Sequence, residues 1–105
     1  MELDDDDIRP QWWLATLGRT LVWARLCVRE AGTAEVFDSD GNTLVYDSED
    51  SARAALMDAE FVEYEGLDVD DARDRGFDLD DVAPPRAETD DALRPRMVQQ
   101  LAPRH

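Results

Sequence analysis

The chain reads as a small α+β domain: a three-stranded antiparallel sheet followed by one packed helix, in the order β-β-β-α. Two observations predict it. Residues 20–47 alternate apolar and polar positions and are broken by Gly32-Thr33 and Asp40-Gly41-Asn42. Residues 48–59 then change to a helical spacing behind a Ser/Asp capping signal.

At 105 residues the chain holds one domain and can bury one modest core. Residues 1–9 (MELDDDDIR) read as an acidic flexible lead-in, 10–85 as the domain, and 86–105 as a flexible, mildly basic tail. Pro10 suits a first helical position and Gly18 a helix end, so 10–17 is expected to form two helical turns.

In the first strand, TLVWARLCVR (20–29), Val22, Ala24, Leu26 and Val28 share one face, and Trp23, Arg25, Cys27 and Arg29 the other. A helix over 10–30 would also collect Trp13, Leu14, Leu17, Leu21, Ala24 and Val28 in one stripe, but the strict alternation favours a strand. TAEVF (33–37) and TLVYD (43–47) flank Asp40-Gly41, a strong hairpin signal because glycine accepts positive φ.

Asp47 or Ser48 can cap the helix that follows, with Glu49 and Asp50 near its positive end. Ala52, Ala55, Leu56 and Ala59 form a narrow stripe that lets a sheet approach closely, and the helix is expected to end near residue 60. GLDVDDA (66–72) and GFDLDDV (76–82) repeat one pattern. Each reads as a short capped turn, with Asp68 and Asp78 as N-caps, Leu67/Ala72 and Phe77/Val82 as hydrophobic staples, and Gly76 closing the first turn. Pro84-Pro85 then ends the ordered body, and Pro95 and Pro103 limit any tail helix to about Arg96–Leu101, with Met97, Val98 and Leu101 as its apolar residues.

Charge narrows function more than any motif. The chain carries 26 acidic residues against 11 basic, a net −15, and every basic residue is arginine. An Ala/Arg/Asp-rich, lysine-free composition points to a GC-rich bacterial genome. Sixteen of the acids lie within 37–82, against three arginines there. Such a body repels nucleic acid and anionic lipid, so neither is an expected partner. No run approaches twenty apolar residues, and the acidic start does not resemble a secretory signal, so a cytoplasmic location is expected.

Asp38, Asp40, Asn42 and Glu49 approach the spacing of a calcium loop. However, Thr43 stands where that loop needs glycine, and the preceding segment reads as strand. A hairpin followed by a capped helix uses these residues better, which leaves them as weak metal candidates and the acidic surface as a weak divalent-cation binder.

No catalytic residue and no cofactor site is assigned. The single histidine is His105, the serines (Ser39, Ser48, Ser51) occupy turns and caps, and Cys27 reads as a small strand residue. Trp12, Trp13, Trp23, Arg25 and Arg29 gather in the only non-acidic part of the body, and tryptophan and arginine are enriched at interface hot spots. The leading expectation is therefore a non-enzymatic interaction or regulatory module that binds another protein, or a second copy of itself, through this set or through the tail. The competing expectation is a nucleic-acid mimic or immunity-type inhibitor acting through the acidic face.

Overall fold

The structure is a computed structural model that describes residues 10–29 and 31–101. The acidic lead-in 1–9 lies outside the described residues. The elements are β1 (Gln11–Leu17), β2 (Thr20–Val28), β3 (Ala34–Phe37), β4 (Thr43–Tyr46), α1 (Glu49–Asp58), β5 (Val62–Glu63), α2 (Val69–Asp74), α3 (Asp90–Leu93) and β6 (Val98–Gln100). Short 3-10 turns cover Tyr64–Gly66, Leu79–Asp81 and Arg94–Met97.

The class is α+β with an antiparallel sheet, but the sheet has more strands than the three expected. Its order is β4-β3-β2-β1-β5, and β6 pairs with β2 as well. β1 takes one edge of β2 from Thr20 to Leu26. The other edge is shared, with Arg25–Val28 facing β3 and Thr20–Val22 facing β6.

Two expectations are corrected here. Residues 11–17 are a strand, not two helical turns. Gly18 has φ +63° and Arg19 lies outside the positive-φ region, the pattern of a type II′ turn, so Gly18 folds β1 back onto β2 rather than ending a helix. Nor does the ordered chain stop at Pro84-Pro85. Residues 90–101 return to the sheet, with Leu93 3% and Met97 0% exposed and β6 laid against β2. The physical reason is that β2 leaves half an edge unpaired and Trp23 uncovered unless the C-terminal segment closes over them.

Apolar residues line both faces of the sheet. One core joins Trp13, Ala24, Leu26, Ala34 and Val36 to Ala52 and Leu56 of α1. The small Ala52 and Ala24 allow the close approach that the sequence implied. The other joins Leu14, Leu21, Trp23 and Phe37 to Ala72, Phe77, Val82, Leu93 and Met97. The sheet therefore lies between α1 and a layer of short C-terminal elements.

Two of the three expected caps form. Ser48 caps α1, accepting from Ser51 N at 3.1 Å, and Asp68 caps α2, accepting from Asp71 N at 2.8 Å. Asp78, by contrast, makes no cap bond to the turn that follows it; its carboxylate stands 3.8 Å from Arg73 Nε.

Both α1 and α2 end in the same motif. In α2, Phe77 N donates to Ala72 O and Gly76 N to Arg73 O, with Gly76 at φ +96°. In α1, Phe61 N donates to Leu56 O and Glu60 N to Met57 O, with Glu60 at φ +68°. Glu60 thus holds a left-handed conformation that costs an L-residue about 1–2 kcal/mol, whereas glycine adopts it freely. Glu60→Gly is expected to raise stability by about 0.5–1 kcal/mol after glycine's greater unfolded-chain entropy is subtracted, read as a higher urea midpoint with unchanged slope.

Candidate functional site

Strand alternation divides the tryptophan–arginine set. Trp12, Trp23 and Arg25 face the C-terminal layer, while Trp13 faces α1. Trp13 and Trp23 are 1% and 0% exposed, so both are core residues. Trp23 stacks edge-on against Trp12 at 6.0 Å and Tyr64 at 5.3 Å, and its Nε1 donates to Gln99 Oε1 at 3.1 Å.

The arginines near them are engaged within the chain. Arg25 lies over the Phe37 ring at 5.0 Å and pairs with Asp90 at 3.0 Å. Arg29, at the exposed end of β2, pairs with Glu35 at 2.6 Å. On the other face Arg53, which the sequence did not single out, covers the Trp13 ring at 5.1 Å and donates to Gln11 and Glu63, each at 3.0 Å. The set therefore joins the sheet to its flanking layers and does not form one outward surface.

The calcium-like spacing resolves into turn chemistry. Asp38 Oδ1 accepts from Asp40 N and Asn42 N, both at 3.0 Å, and Gly41 N donates to Asp38 O at 3.0 Å with Gly41 at φ +89°. Gly41 also lies beneath Arg94: a Cβ there would stand 2.6 Å from Arg94 Nε. Glu49 turns away into α1, where it accepts from Gln11 Nε2 at 2.8 Å and lies 3.8 Å from Arg53. Among the described residues no group of three or more His, Cys, Asp or Glu side chains is placed to hold a metal ion.

Cys27 is half-buried beside Arg25 and Arg29, and burial pushes its thiol pKa up, which lowers its thiolate fraction at neutral pH. A cleft of about 420 Å³ runs along the end of β1 beyond β5. Thr16, Met57, Glu60, Phe61 and Arg75 line part of it, bringing one carboxylate and one guanidinium together without a second carboxylate.

Two features are left on the outside. The first is a run of carboxylates on the C-terminal layer: Glu65, Asp68, Asp70, Asp71, Asp74, Asp78, Asp80 and Asp81 are all exposed. They project from α2 and its neighbouring turns, whose inner sides (Leu67, Ala72, Phe77, Leu79, Val82) are anchored in the core. The second is β4, the sheet's outer strand, with Leu44 50% and Val45 65% exposed.

Among the described residues no helix is long and apolar enough to cross a membrane. Comparison with known proteins assigns no relative: no family model, curated protein or solved structure matches the chain.

Proposed function

We propose that this chain is a non-enzymatic binding module that seats its acidic outer surface on a positively charged protein, as a nucleic-acid backbone would. The observation that carries this reading is the fixed array of exposed carboxylates over residues 65–81. Asp68 caps α2, the turn at Gly76 closes it, and the apolar residues beneath pin the layer to the sheet. A rigid array loses little conformational freedom on docking. Only Arg73 and Arg75 interrupt it. Trp13 and Trp23 are buried and present no surface to a partner.

The test is capture of basic proteins from native lysate on the immobilised chain at about 0.05 M and 0.5 M salt, a range over which the Debye length falls severalfold. Capture is expected to disappear at high salt and to be displaced by added duplex DNA. It should also weaken severalfold when Asp70, Asp71, Asp74, Asp80 and Asp81 are changed to Asn. Asp68 and Asp78 are left intact because the fold uses them. Capture unaffected by salt and by these substitutions contradicts the reading.

A further inference from the structure

We infer that the outer edge of β4 is a docking edge for an extended, arginine- or lysine-flanked segment of the basic partner; the inference rests on the acidic-module reading above and names where that partner engages.

Backbone geometry shows which groups are on offer. Asp38 N donates to Asn42 O, so those two residues form a hydrogen-bonded pair. Antiparallel pairs alternate. In the observed register the bonded pairs are then Val36–Leu44 and Ala34–Tyr46, whereas Phe37–Thr43 and Glu35–Val45 are not. The β2–β3 ladder supplies an independent check. Arg29 N donates to Thr33 O, which makes Cys27–Glu35 and Arg25–Phe37 the bonded pairs there. Glu35 and Phe37 thus bond toward β2, leaving Ala34 and Val36 for β4. The N–H and C=O of Thr43 and Val45 consequently point outward, and among the described residues no strand pairs with that edge.

The strand also lacks much of the usual protection. Native edges are blunted by shortness, proline, an inward charge or a bulge; Thr-Leu-Val-Tyr is short, at four residues, but carries no proline and no charge. Leu44 and Val45 are exposed on opposite faces of the sheet, so a strand added here would find an apolar contact on each side.

Charge selects the occupant. Asp38 and Asp40 stand at one end of β4, and Asp47 and Asp50 at the other, about 13 Å of strand apart. A second copy docked in either direction would set acids against acids, with a net −15 on each chain. A segment with an apolar, β-branched centre and cationic ends meets both the apolar middle and the anionic ends.

The probe is a synthetic nonapeptide of alternating valine and threonine with two arginines at each end, titrated into the full chain and followed by backbone amide NMR and hydrogen exchange. Saturable shifts confined to 38–50 are expected, with exchange slowed at Thr43 and Val45. The same peptide with glutamates for arginines should not bind. Val45→Pro removes an outward N–H and leaves the β3 ladder intact, so its urea midpoint should stay close to that of the parent while peptide affinity falls about tenfold. If Val45→Pro does not fold, the pair Asp40→Arg and Asp47→Arg should reject the arginine peptide and admit the glutamate one.

Unchanged affinity in either variant, shifts confined to 65–81, or protection of Thr43 and Val45 by self-association without peptide would each overturn the docking edge. Lysate capture separates the two readings. If Val45→Pro still captures the same basic proteins, the edge is wrong and the acidic-module reading stands. If the parent captures nothing salt-sensitive yet binds the arginine peptide at β4, the reverse holds.

Discussion

Trp23→Ala is expected to lower the unfolding free energy by roughly 3–5 kcal/mol, the range for emptying a buried tryptophan site. The residue is 0% exposed and sits between Trp12, Tyr64, Leu14 and the C-terminal layer, so no single neighbour can collapse into the space. Gln99 also loses the indole N–H it accepts from. Domains of this kind have about 5–15 kcal/mol in total, so the variant should lose a large share of its stability and unfold at a much lower urea concentration. Urea unfolding followed by circular dichroism reads the effect. Trp23→Phe keeps an aromatic ring and loses the hydrogen bond, and the bond itself is worth about 1 kcal/mol. A cost below about 0.5 kcal/mol for Trp23→Ala would place the side chain at the surface instead.

Ending the chain at Thr89 should be about as damaging. It deletes Leu93 and Met97, 3% and 0% exposed, whose burial contributes roughly 3–6 kcal/mol together. It also removes the Arg25–Asp90 pair and the β6 ladder, and exposes Leu21, Trp23 and Phe37 from above. The expected result is loss of a sharp urea transition and fast hydrogen exchange at Leu21, the residue of β2 whose N–H faces β6. Met97→Asp should reproduce most of this in the full-length chain, since a carboxylate there is buried without a partner. An unchanged midpoint in the truncated chain would mean that 90–105 is a tail after all.

The layered packing also bears on function. Because the aromatic and arginine residues join the layers, changes to Trp13, Trp23 or Arg53 will register as loss of fold before any loss of binding. Substitutions that probe binding belong on the exposed carboxylates and on β4.

Local chemistry made some elements legible. The period-two pattern of β2, the glycine turns around β3 and β4, the Ser48 and Asp68 caps and the closure at Gly76 all depend on residues within a few positions of one another. β1 was harder to read for a physical reason. A strand covered on both faces carries apolar residues at consecutive positions, and Trp12-Trp13-Leu14-Ala15 therefore lacks the alternation that marks a half-buried strand. Gly18 then fitted a helix end as well as a hairpin, because both uses need positive φ.

What the sequence alone determined was the α+β class, the Ser48 and Asp68 caps, the acidic balance and the absence of a run long and apolar enough to span a bilayer. The tertiary structure alone decided which side each tryptophan faces, that β6 returns to β2, and that β4 is left at the margin. Those outcomes depend on pairings between segments far apart in the chain, such as Leu21 with Gln99. Such pairings leave no periodic trace in either partner, because what selects them is the edge and the apolar surface that the rest of the fold leaves open.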